Sequence, residues 1–259
     1  VQSKSKSVFI FFVLTLIFSI PFWLLNTINP IQLLPGLPIS AISVFIPALT
    51  ALILVYKNEH LSGVLQLLKR SFDFNRVKNK SWYLAFIFIN PAIAVLAYWV
   101  MRMTGMQIPN STPLTFTAIP LFVILFIAAL GEEIGWSGYA AEPLQSRWGT
   151  LAAGLVIGLV WAAVHFVPLW QVNRSMEWIA WWSLGTISSR LIMTWLYTHT
   201  GKSVSAAAIF HAMINLSWQL FPVNGSFYDP RLFGLGALGF AIIIFVAESL
   251  FKKRSVQVA

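Results

Sequence analysis

Apolar residues run along this chain in long unbroken blocks. They show neither the narrow stripe of a surface helix nor the alternation of a half-buried strand. Eight blocks stand out: residues 8–25, 39–56, 82–103, 114–139, 150–170, 178–197, 204–221 and 232–251. A membrane-spanning helix needs about 20 mostly apolar residues. The pattern therefore predicts an all-α polytopic membrane protein of about eight transmembrane helices, with residues 1–259 as a single transmembrane domain. The fourth block is longer than a span requires and is expected to continue to about Gln145. Residues 61–70 place apolar side chains at helical spacing before a basic end, which fits a short amphipathic helix on a leaflet or a plain basic loop. The first block follows Lys4 and Lys6, lacks a small-x-small cleavage pattern and continues through Pro21 to Leu25, so it reads as a retained helix. No internal repeat or low-complexity tract interrupts the series.

Polar residues inside these blocks change the picture. Glu132 and Glu133 lie together in the fourth, His165 in the fifth, and His211 and Asn215 in the seventh. An ionised carboxylate in hydrocarbon costs several kcal/mol unless paired, hydrated or neutralised. The five residues thus predict a polar intramembrane site. His211 and Asn215 are i and i+4, one turn apart on one helix face, and Trp161 and His165 share that spacing. Gly131 with Gly135, and Gly154 with Gly158, are small-x-x-x-small pairs that let helix backbones approach closely in lipid. Histidines outside the motifs, His60 and His199, read as ordinary structural residues.

Charge sets the expected orientation. The chain is 58% hydrophobic and 10% charged, against about 25% charged in a soluble domain. Its net charge of +9 resides in connecting segments with no aromatic-interleaved patch, so membrane lipids are the expected partner and nucleic acid is not. Lys57, Lys69, Arg70, Arg76, Lys78, Lys80, Arg147, Lys202 and the lysines and arginine near both termini fall on alternate connections. The other connections hold only Arg102, Arg174 and Arg231. Positive-inside bias predicts both termini in the cytoplasm. The absence of cysteine excludes disulfides, a thiolate nucleophile and thiolate metal ligands.

These residues suffice for hydrolysis. A carboxylate helped by a histidine can take a proton from water, while another histidine and an amide stabilise the oxyanion. The same groups, Glu132, His165 and His211, can alternatively be read as zinc ligands with an open position, although the sequence has no His-Glu-x-x-His helix. The first reading needs no cofactor; the second makes Zn²⁺ the cofactor. Intramembrane Glu and His also build proton relays, but the related halves and broken helices of transporters are missing.

Gly-Glu-Glu-Ile-Gly-Trp-Ser-Gly-Tyr (131–139), Trp-Ala-Ala-Val-His (161–165) and His-Ala-Met-Ile-Asn (211–215) together resemble the CPBP or Abi family. These are the CAAX-processing and bacteriocin-processing intramembrane proteases, related to type II CAAX prenyl endopeptidases. The likeness spans about residues 121–220, the expected catalytic motif core. It implies an eight-helix core with a cavity open to the cytoplasm, and a bacterial cell-membrane protein acting on a peptide or lipidated peptide. It further implies Glu132 and His165 as activators of water, His211 and Asn215 as oxyanion stabilisers, and Glu133 as the second glutamate of the pair. The chain departs from the family pattern twice. Ser137 stands where the family has arginine, and Trp161 where it usually has phenylalanine. The lost cation leaves Arg190, a metal or a protonated partner to neutralise the glutamates. It also motivates the alternative of a non-catalytic membrane protein of this fold, serving bacteriocin self-immunity or as a scaffold.

Overall fold

The computed structural model describes residues 2–34, 37–110, 116–223 and 225–257, without the side chains of residues 2–6, 32–34, 37 and 251–257. The start of the predicted fourth block, and the basic side chains near the termini, lie outside the described part. Eight α-helices follow in order: α1 (Gln2–Ile28), α2 (Ile46–Lys69), α3 (Trp82–Met103), α4 (Ala118–Gly135), α5 (Ala141–Gln171), α6 (Met176–His199), α7 (Val204–Leu220) and α8 (Pro230–Gln257). A small antiparallel ladder, Gln32–Leu34 with Leu37–Pro38, and a tight 3₁₀ segment, Ile39–Phe45, join α1 to α2. The protein is an all-α integral membrane protein with polar residues buried among its helices.

Five stretches among the described residues are long and apolar enough to cross a membrane. The fourth of these, Ala118–Gln171, contains both α4 and α5. Helices α6 and α7 do not qualify on their own: α7 has only 17 residues, and α6 carries the buried polar residues Thr186, Ser188, Ser189 and Arg190. Both are interior elements: α6 packs against α5 and α8, and α7 against α4 and α3. Large apolar side chains such as Phe9, Leu84, Val123 and Ile243 are exposed on other helices, as lipid-facing positions should be.

A π-turn, Trp136–Ala140, prolongs α4 directly into the first residues of α5. The break comes at Gly149, with φ 78° and ψ 174°, a conformation open essentially to glycine alone. The chain then returns, so that Trp161 reaches back to Glu132. Both predicted glycine pairs are close approaches. A Cβ on Gly135 would sit 2.6 Å from the carbonyl oxygen of Pro47, and one on Gly158 would sit 3.2 Å from the Cα of Ile187. Backbone cannot yield as a flexible side chain can. Gly135→Ala is therefore expected to destabilise the protein by about 1–3 kcal/mol, read as a lower midpoint of thermal unfolding in detergent.

The helix α2 is interrupted at His60 (φ 54°), after which residues 61–69 form a separate helical piece. Leu61, Leu65 and Leu68 are exposed and Leu67 is buried. The segment is thus a helix rather than a plain loop, with an apolar surface available to a leaflet. It leads to a clamp at Arg70, whose guanidinium donates to the carbonyl of Gly138 (3.0 Å), the hydroxyl of Tyr197 (2.6 Å) and the carbonyl of Lys202 (2.9 Å). Glu142 lies 3.1 Å from the same group. Asp73 accepts from the backbone of Val204 and Ser205 and caps α7. Ser7 bonds Tyr139 at this end, whereas Gln171 bonds the carbonyl of Trp23 at the other. The end that holds Arg70 also carries Lys57, Lys69, Arg76, Lys78, Lys80, Arg147 and Lys202, while the other carries Arg102, Arg174 and Arg231 beside Glu177 and Asp229.

Candidate functional site

Helix α4 delivers the glutamate pair to the interior, and the two carboxylates have different surroundings. Glu132 is 4% exposed and accepts two indole N–H bonds through Oε2, from Trp136 (3.1 Å) and Trp161 (2.6 Å). Its Oε1 lies 3.7 Å from Nε2 of His211. Trp136 is four residues along, so it leans back over one turn. Trp161 comes from α5, brought alongside by the reversal at Gly149.

Glu133 is fully buried and takes a bidentate pair from Arg190 on α6, with Nη2 to Oε1 at 2.7 Å and Nη1 to Oε2 at 2.8 Å. Planar two-bond pairing of this kind is the strongest carboxylate recognition a side chain offers. Ser137 donates to Oε2 of the same carboxylate. The position where the family has arginine thus contributes a hydroxyl, and the cation arrives from another helix. Arg190 also stacks over Trp161, its guanidinium carbon 4.3 Å from the ring centre. One cationic side chain therefore touches the support of both glutamates.

The histidines are oriented by their inner nitrogens. Nδ1–H of His165 donates to the carbonyl of Trp161 (2.8 Å), leaving Nε2 with its lone pair when the ring is neutral. Nδ1–H of His211 donates to Oε1 of Glu133 (2.9 Å), which turns Nε2 toward Glu132. The ring of His211 meets Trp161 edge to face at 4.8 Å. Asn215 lies one turn further along α7 and is half-buried, with no hydrogen-bond partner among the described residues.

Glu132, His165, His211 and Asn215 line one cavity of about 400 Å³. Glu133 does not; it stands behind His211 as a support. Buried hydroxyls of Thr15 and Ser189 also border the cavity and have no hydrogen-bond partner among the described residues. Apolar residues of α4 and of the 3₁₀ segment, among them Ile124, Ile127, Ile42 and Phe45, form one wall and are exposed to the bilayer side.

No three His, Asp or Glu side chains among the described residues form a group able to hold a metal ion. The zinc reading of Glu132, His165 and His211 would use Oε1 of Glu132 and Nε2 of each histidine, since two indoles take the other carboxylate oxygen and protein acceptors take both inner nitrogens. Arg190 also places a fixed positive charge immediately behind them.

Residues 113–217 match the family described as Type II CAAX prenyl endopeptidase Rce1-like. This stretch, about two-fifths of the chain, is similar to the Rce1-like family. A curated relative, CAAX prenyl protease 2 of Methanococcus maripaludis, is 29% identical, with 85% of this chain and 83% of that protein aligned. The Rce1-like region contains all three motifs, and both likenesses agree with the CPBP resemblance of the motifs. They support a protease embedded in the membrane.

In the sequence the five polar residues stand out, while Trp136 is one residue of the 131–139 motif and Trp161 stands where phenylalanine is usual. Both donate to Glu132, a bond that phenylalanine cannot make. In a chain with twelve tryptophans, no local signal marks these two. The i, i+4 spacing of Trp136 to Glu132 was the one available hint.

Proposed function

We propose that the protein is an intramembrane endopeptidase that hydrolyses a peptide bond with water activated by Glu132 and His165. The observation that carries this reading is the shared cavity: Glu132, His165, His211 and Asn215 all border it, while the remaining charges are paired behind them. A peptide carbonyl held there is attacked by the oxygen of a water whose proton passes to Glu132 or His165. The carbonyl oxygen becomes an oxyanion, which receives hydrogen bonds from the amide N–H of Asn215 and from Nε2–H of His211 when that ring carries both protons, its Nδ1–H staying on Glu133. The proton is then returned to the leaving nitrogen as the C–N bond breaks. Glu133 and Arg190 hold His211 in position throughout, and the two indoles hold Glu132.

The apolar wall beside the polar floor suits a peptide that brings a hydrophobic chain with it, either a membrane-embedded segment or a covalent lipid. The alternative of a non-catalytic immunity or scaffold protein rested on the serine at position 137. The guanidinium of Arg190 on Glu133 supplies the missing positive charge and weakens that motive.

Removing one oxyanion donor typically costs about 100- to 1,000-fold in turnover. Asn215→Ala is expected to lower kcat by about that factor with little change in KM, measured on a cleaved peptide in liposomes. A rise in KM at constant kcat would assign Asn215 to ground-state binding. Water activated by Glu132 and His165 alone predicts that cleavage persists in the presence of a strong chelator; loss on chelation and recovery with zinc would support the metal reading instead.

A further inference from the structure

We propose that Arg70 is a positioning residue of the reaction: it holds the π-turn through which Trp136 and Ser137 reach the two glutamates. The inference rests on the peptidase reading for its effect on turnover, and on the geometry of the turn alone for its effect on Glu132. Arg70 does not line the cavity, so its influence there passes through the turn.

π-Turns are rare and occur mostly as single wide turns inside α-helices. In Trp136–Ala140 successive residues are held from two sides. Trp136 donates its indole N–H to Glu132, and Ser137 its hydroxyl to Glu133. The carbonyl of the next residue, Gly138, accepts from Nη1 of Arg70 at 3.0 Å. Tyr139 then bonds Ser7 of α1. A Cβ on Gly138 would sit 3.0 Å from Cδ1 of Leu67, so the bare glycine lets the end of α2, and Arg70 after it, close on the turn. The turn therefore stands between the glutamates on one side and a guanidinium on the other.

The same guanidinium reaches two further helices that carry buried charge. Nη2 donates to the hydroxyl of Tyr197 near the end of α6 and to the carbonyl of Lys202 just before α7. Asp73, three residues on, accepts from the first amides of α7. Glu133, Arg190 and His211 lie on α4, α6 and α7, and each is about 7–11 Å along its helix from this tie at 1.5 Å per residue. These three helices are thus joined twice, once in the interior by Arg190, Glu133 and His211, and once at their ends by Arg70. A lysine at position 70 would keep the positive charge beside Glu142 but could not spread donors from a planar fork over three acceptors.

Arg70→Lys is the test, read against Arg76→Gln. Arg76 is exposed and donates to the same carbonyl of Lys202 at 3.3 Å, away from the turn. A misplacement of about 1 Å caused far from the chemistry can cost about 100-fold in rate. The proposal predicts that Arg70→Lys lowers kcat by about 10- to 100-fold at unchanged KM, on a peptide that the wild type cleaves in liposomes. Arg76→Gln is expected to keep the wild-type kcat. A second readout needs no catalysis. With isotope-labelled indole nitrogens in the twelve tryptophans, Trp136→Phe assigns the Trp136 N–H resonance, and Arg70→Lys is expected to shift it toward that of a free indole. If Arg70→Lys does not fold, Tyr197→Phe removes the oxygen that aligns Nη2, keeps the ring and is expected to move both readouts the same way. A lower unfolding midpoint with kcat and the Trp136 resonance at wild-type values overturns the proposal and leaves Arg70 a purely structural tie. A lower kcat with an unmoved resonance also overturns it, because the effect would not then run through the turn. If the wild type cleaves nothing, the resonance alone decides, so a failure of the peptidase reading appears separately.

Discussion

Replacing Glu132 with glutamine is expected to abolish peptide cleavage while leaving the protein folded. The substitution keeps the shape of the side chain and lets its amide oxygen still accept the N–H bonds of Trp136 and Trp161. What it removes is the basicity needed to take a proton from water. General-base catalysis contributes about 100- to 10,000-fold, so kcat/KM is expected to fall by at least about 1,000-fold in that range. The midpoint of thermal unfolding should stay within a few degrees of wild type. A comparable loss is expected for His165→Ala, whose side chain is half-buried at the cavity and supports no other contact as closely as its own backbone turn. If Glu132→Gln retained full activity, the attacking water would have to be activated elsewhere.

Arg190→Met is expected to produce the largest loss of stability. It leaves the Glu133 carboxylate buried, with Ser137 and His211 as its remaining partners. Breaking a buried pair by removing one partner costs about 3–5 kcal/mol. Turnover should fall as well, because Glu133 then no longer holds His211 against a fixed counter-charge. The double variant with Glu133→Gln removes both charges, and replacing a whole buried pair by neutral groups is often close to neutral in stability. Thermal unfolding of the two single variants and the double variant in the same detergent closes the cycle. A strictly additive result would show that the two residues do not act as a pair. Where the CPBP motif that this sequence resembles has arginine on α4, the chain has Ser137, and the positive charge on Glu133 comes across helices from Arg190 on α6.

The helices were legible because membrane spans must be apolar over their whole length, and that signal is strong at short range. The block at residues 82–103 coincides with α3, and the blocks in α6 and α7 differ from the helices by two residues or fewer. The five site residues were legible for the converse reason, as polar groups where hydrocarbon excludes them. The partners of those residues were not. Arg190 could be weighed against a metal or a protonated group, but only the packing of α6 on α5 shows which one meets Glu133. The π-turn at Trp136–Ala140 leaves no composition mark, yet it follows directly on the glutamates, where such turns often accompany functional sites. The indole bonds to Glu132 depend on the reversal at Gly149, a glycine whose positive φ a sequence pattern does not reveal.

The most direct test of the central claim is mass-spectrometric detection of products from a library of membrane-associated peptides, lipidated and unmodified, incubated in liposomes with wild type, Glu132→Gln and His165→Ala. The account predicts new termini with wild type at a defined set of bonds, and none with either variant. Identical product patterns from all three proteins, each correctly folded, would contradict it.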